Sequence, residues 1–245
     1  MSLTSRAARL SPWARVVLAS AVVLGAVAVA LGVWSLASAQ EQRVTYPVGG
    51  QLTGLELDLG PADLVVQGAG QTSEVRVEHE DHYGFGHGPE TVRSVAGGVF
   101  RIFARCPTTV LHGCSMHYRI AVPDNVPLTV RTSTGDVQLR GYRGSAQITT
   151  DGGDIDVGGF CGFSLQARAD GAGDVTAATT CPPARLSLRS TTGTVRARVP
   201  AGRYSVDAST GHGRPVVRGL EQADDAPFTI QALSGSGAVF VEPLT

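Results

Sequence analysis

Five of the six histidines, His79, His82, His87, His112 and His117, fall close together in the first half of the chain, with Cys106 and Cys114 among them. Imidazoles and thiols are the donor set of a zinc or copper site. Their spacing fits no standard zinc pattern, and His79 and His82 diverge if they lie on a strand that runs into a loop. The thiols could join only if reduced. Solvated loop histidines are the simpler reading, and no metal is assigned. Asp136, Asp154 and Asp174 raise a second possibility, a ladder of carboxylates for calcium. That repeat is thinner in glycine and aspartate than a calcium-binding one, so these acids are expected to bond turn amides and face water. Asp151, Asp154 and Asp156 could be paired acids for cleaving polysaccharide, although two acids two residues apart are usually the wet side of a strand. Serine and threonine are abundant, but no Gly-x-Ser-x-Gly elbow precedes a helix. There is no lysine at all, so lysine catalysis and phosphate-loop chemistry fall away. No catalytic residue and no cofactor is assigned. The stretch from Asp81 to Glu90, with three glycines, a proline and two aromatics, is expected to form a protruding loop. His82, Tyr83, Phe85 and His87 are its candidate binding residues.

The elements that must position these residues come from a repeat. Gly135-Asp136-Val137, Gly153-Asp154-Ile155, Gly173-Asp174-Val175 and Gly193-Thr194-Val195 recur at intervals of 18, 20 and 20 residues. Apolar residues keep phase with the glycine: Leu128 and Val130 lie seven and five before Gly135, as Leu186 and Leu188 do before Gly193. A period near 20 belongs to a solenoid, and the period of two inside each unit to strands. The fold expected is all-β: a β-solenoid with rungs of 18–20 residues and about two strands per rung. Glycine is expected to supply left-handed backbone at each corner. Regular repeats are expected over 126–245, with some drift beyond Val199, and an irregular β N-terminal part or cap over 40–125.

The cysteines test this register. Cys161 and Cys181 each lie eight residues after a corner glycine, Gly153 and Gly173. Adjacent rungs would set them one above the other, roughly 5 Å apart between Cα atoms, within disulfide range. Cys106 and Cys114 are the remaining pair.

One transmembrane helix is expected to precede the β region. Residues 1–15 carry Arg6, Arg9 and Arg15 and no acid, and an uncharged run follows from Val16 to Gln40. Such a run can cross a bilayer as a signal-anchor over 16–39, with a cytoplasmic tail and the rest outside. Cleavage after Ala39, at Ala37-Ser38-Ala39, is the rival reading, and it exports the same segment. That segment has 17 arginines against 21 acids, a formal charge of −4. It carries no basic stripe for nucleic acid. Four cysteines in an exported chain point to disulfides.

VPDNVPLTVRTSTGDVQLRG (122–141), the recurring Gly-Asp-Val/Ile units, Pro200 to Val206 and Ile230 to Gly235 resemble the bacterial adhesin-like family of β-strand-repeat proteins. The resemblance covers roughly Val44 to Thr245 and departs from the family at Thr194, His212 and Ala238, where Asp is favoured. It implies a membrane-anchored or secreted β-solenoid without an assigned activity. The function expected is a non-catalytic surface-display, adhesion or envelope-interaction module whose partners are envelope proteins or glycans. An enzyme acting on polysaccharide along the flank and an envelope sensor are the alternatives. A deep groove with converging acids would favour the enzyme, and a flat polar face the interaction module.

Overall fold

Residues that alternate apolar and polar can bury one side of a strand and leave the other wet. The computed structural model describes residues 12–37, 40–84, 88–107 and 113–244. In it each repeat folds into two short strands that meet at the corner glycine, and successive repeats pair in parallel. Their front strands are β7 (Leu128–Thr134), β9 (Ala146–Gly152), β11 (Ser164–Ala169) and β13 (Arg185–Ser190). Their back strands are β8 (Val137–Arg140), β10 (Ile155–Phe160), β12 (Val175–Thr179) and β14 (Val195–Val199). Val137 pairs with Ile155, Ile155 with Val175 and Val175 with Val195, and the β10–β12 ladder shifts register between Val157 and Phe160. The core is therefore a set of columns, such as Leu57, Val130, Ile148, Ala167, Leu188 and Ala232, all fully buried.

The coil also extends N-terminal of residue 126. β2 (Gly54–Gly68) runs through a corner and joins both faces, with Leu57 on Val130 in front and Leu64 on Val137 behind. β5 (Val99–Arg105) and β6 (Cys114–Val122) form the rung outside it. Three antiparallel pairs close this end: β4 (Glu90–Ala96) on β5, β3 (Val75–Tyr83) on β6, and β1 (Gln40–Val48) on β3.

Stacking does not follow chain order at the other end. β18 (Phe228–Ser234) and β19 (Val239–Pro243) pair with β13 and β14, although they come later in the chain than β15 (Arg203–Thr210) and β16 (Val216–Val217). β15 and β16 lie outside them, and β17 (Glu221–Gln222) ends the front face. The physical reason lies in how complete each rung is. β18 and β19 supply seven and five paired residues, whereas β16 is two residues long. The fuller rung covers the core, and β17 pairs with only Arg203 and Tyr204 of the outer strand β15.

Left-handed backbone is not what every corner requires. Gly135 has φ +112°, but Gly173 and Gly193 have no such conformation. At Gly193 the constraint is proximity, since a Cβ would stand 2.0 Å from the carbonyl oxygen of Gly173 one rung below. Gly173 sits over Gly153 in the same way, at 2.1 Å. The Cys161–Cys181 bridge forms as the register requires, and the remaining two cysteines pair with each other. Cys161 and Cys181 are joined with Cα atoms 4.8 Å apart, and Cys106 and Cys114 at 5.9 Å.

α1 (Pro12–Ala37) precedes the β region, and its Val16, Val17, Leu18, Val22, Val23 and Leu24 are exposed. Among the residues whose side chains are described, no helix is long and apolar enough to cross a membrane. In α1 those residues run unbroken only over 16–30. The Ala37-Ser38-Ala39 cleavage motif extends outside the described residues.

Candidate functional site

The corner acids form a ladder between rungs. The Oδ1 of Asp136 accepts the backbone N–H of Asp154 at 2.9 Å. Asp154 accepts that of Asp174 at 2.8 Å, and Asp174 that of Thr194 at 2.7 Å. Each carboxylate thus satisfies an amide one rung away rather than in its own turn. Asp63 begins the ladder by accepting the N–H of Asp136 at 3.0 Å. The sequence reading missed it because Pro61-Ala62-Asp63 lacks the glycine, although Leu64 and Val66 stand in the same phase. Replacing Asp154 with Ala should cost about 1 kcal/mol, while Asn, which keeps the acceptor, should cost less. Urea unfolding of the two variants measures the difference.

The front face carries the most regular array of exposed groups. Along it, pairing aligns Thr129, Gln147, Gln166, Ser187 and Gln231 in one row. The next row is Arg131, Thr149, Arg168, Arg189 and Leu233. Neighbouring members stand one rung apart, roughly 4.8 Å. Ser187 Oγ and Gln231 Oε1 are 3.2 Å apart. Among the described residues, Arg131 and Arg189 make no ion pair within the salt-bridge distance, and Arg168 pairs with Asp170. These rows recur three residues and one residue before each buried hydroxyl or alanine at the corner (Thr132, Thr150, Ala169, Ser190 and Ser234), a phase visible in the sequence.

The back face is neutralised differently. Arg140 bonds Asp156 at 2.5 Å, and Arg196 bonds Glu242 at 2.9 Å while lying over the Phe240 ring. The acids weighed for catalysis are engaged here: Asp156 by Arg140, and Asp154 by the Asp174 amide. Asp151 is exposed, and its backbone carbonyl lies beneath Gly171 at the same corner as Gly153 and Gly173.

The expected loop from Asp81 is shorter than the sequence implied, because β3 continues through Tyr83 in register with β6. His82 and Tyr83 are therefore strand residues. Phe85 and His87 lie outside the described residues, as does His112. His79 and His82 diverge: His79 is buried, and His82 is on the outer surface. Inside the cap His79 stacks on Tyr118 with ring centroids 5.2 Å apart, and its Nδ1 is 3.1 Å from Asp81 Oδ2. Arg93 covers the Tyr46 ring at 4.2 Å and lies 3.3 Å from His79 Nε2. This polar group fills the end of the core where no further rung follows.

Burial pushes the Tyr118 phenol up to about 12. The folded state holds this proton more tightly than the unfolded chain, whose tyrosines titrate near 10. The resulting stabilisation is complete below about pH 10 and disappears as pH rises through about 12. Two units correspond to about 3 kcal/mol. Urea midpoints at pH 8 and pH 11 should differ less in Tyr118→Phe than in the parent protein.

No family model and no curated relative matches the chain. Among solved structures, a candidate cell adhesion protein from Clostridium sporogenes matches 84% of this chain and 100% of its own, at 11% identity and TM-score 0.43. A candidate adhesin from Bacteroides fragilis covers 83% and 97%, at 11% identity and TM-score 0.39. One from Parabacteroides distasonis covers 83% and 97%, at 16% identity and TM-score 0.29. The first is named for cell adhesion and the other two as adhesins. At such scores the description of this fold rests on its own strand register.

Proposed function

We propose that this chain is a membrane-anchored, extracytoplasmic interaction module whose working surface is the front face of the coil. One observation carries the reading: the two aligned rows on the front face, in which amides, hydroxyls and arginines recur from rung to rung until Leu233 ends the second row. Evenly spaced donors on a stiff scaffold suit an extended partner with its own repeat, and a solenoid supplies that stiffness. Gln147, Gln166 and Gln231 offer both donors and acceptors to hydroxyls. Arg131, Arg168 and Arg189 offer planar donors to carboxylates. An acidic envelope glycan has both kinds of group.

Support for anchoring comes from the sequence, where an uncharged run from Val16 to Gln40 follows Arg6, Arg9 and Arg15. Two disulfides suit an oxidising compartment. Binding is tested with the full chain in nanodiscs against an acidic and a neutral polysaccharide. Retention of the acidic polymer should fall at least tenfold in an Arg131→Ala/Arg168→Ala/Arg189→Ala variant. Equal retention of both polymers, or no effect of the triple substitution, contradicts the reading. Protease digestion of intact cells should remove residues beyond the helix and spare the tail.

A further inference from the structure

The antiparallel cap turns a second set of groups outward, on the surface opposite the buried His79. β1, β3 and β6 lie side by side, and pairing sets Glu41 opposite His82 and Glu80 opposite His117. Glu80 and His82 are two residues apart on one strand and so share its outer side. The strand order, more than the sequence spacing, gathers these four residues.

We infer that Glu41, Glu80, His82 and His117 form a binding site for a borderline divalent transition-metal ion, zinc in the first instance. Donor atoms of Glu41, Glu80 and His82 all lie within 4.8 Å of one another. His82 Nε2 is 3.0 Å from Glu80 Oε1. The His117 ring stands edge-on to His82, with centroids 5.6 Å apart. His117 Nε2 lies 3.2 Å from Asp63 Oδ2, the carboxylate–imidazole contact that fixes a ring and leaves its other nitrogen for a metal. Glu78, Glu80, His82, His117 and Arg119 line a depression of about 180 Å³ over this point.

The donor chemistry selects the ion. Two imidazoles and two carboxylates suit zinc or copper, whereas calcium and magnesium require more oxygens. Zinc holds its donors at about 2.0–2.1 Å, hence roughly 3.4 Å apart in a tetrahedron. Glu41 and His82 are exposed enough to close that far by changing rotamer. Arg43 bonds Glu80 through Oε2 at 2.5 Å, which orients the carboxylate and leaves Oε1 toward His82. The acids around the depression, Glu41, Glu78, Glu80 and Asp63, outnumber Arg43 and Arg119, so the local charge favours a cation. Three strands contribute donors. A bound ion would therefore tie β1, an edge strand with one neighbour, to the rest of the cap.

The test is zinc titration of the full chain in detergent at pH 7.5, followed by calorimetry and by hydrogen exchange of β1. One equivalent should bind with a micromolar or tighter Kd, and β1 amides should exchange more slowly with zinc present. His82→Ala and His117→Ala should each weaken binding at least tenfold and abolish the added protection. His212→Ala, at an exposed histidine far along the sequence, should change neither. Because His82 and His117 face outward, the variants should melt in EDTA within a few degrees of the parent. Absence of zinc binding below millimolar concentration overturns the site. So does binding that survives the His82→Ala/His117→Ala double substitution in a folded protein.

Discussion

Gly193→Ala should unfold the coil or cost at least about 4 kcal/mol, the range reserved for severe steric conflict. A Cβ there would lie 2.0 Å from the Gly173 oxygen, 2.4 Å from its carbonyl carbon and 2.9 Å from the Asp174 nitrogen. All three atoms are backbone, so no rotamer change relieves the overlap. Two rungs would have to part, breaking the Val175–Val195 register and the Asp174–Thr194 bond beside it. Gly49, with no atom within 4 Å of its Cβ position and no left-handed φ, is the control. Gly49→Ala should leave the urea midpoint within experimental error. If Gly193→Ala is equally silent, the corners are not in contact.

Removing the Cys161–Cys181 bridge should cost about 3 kcal/mol, the chain-entropy value for a loop of about 20 residues. The bridge joins adjacent rungs, so it restricts the unfolded chain while asking little rearrangement of the folded one. Cys106–Cys114 closes a separation of only 8 residues and should contribute about 2.5 kcal/mol by the same relation. Urea unfolding of the two double-serine variants should rank them in that order. Equal stability of Cys161→Ser/Cys181→Ser and the parent would mean that the bridge adds nothing to the stack.

Much of the stacking was legible because its cause is local. A rung of fixed length puts Val137, Ile155, Val175 and Val195 in one column whatever lies at the ends, and the phase of Cys161 and Cys181 reports the same spacing. The corner acids were legible as a column, but their partners were not, since the amide each one accepts belongs to another rung. The order of the last rungs was hidden for a different reason. Val206 and Ala208 carry the same inward phase as Ile230 and Ala232, so either pair could cover Leu186 and Leu188. Only the length of the accompanying back strand decides, and sequence phase does not measure it. The cap was least legible. Antiparallel pairing of β1, β3 and β6 brings Glu41 to His82 across 41 residues of chain, and no period announces it.

The front face exists only if Gln231 follows Ser187, so the arrangement is tested by cross-linking. Cysteines at Ser187 and Gln231 stand on adjacent parallel strands in direct register and should form a disulfide in air, identified by mass spectrometry with both native bridges intact. Cysteines at Ser187 and Asp207, neighbours in a coil stacked in chain order, should not, because β18 lies between them. A bridge from position 187 to 207, with none to 231, would contradict the inserted rung and the surface built on it.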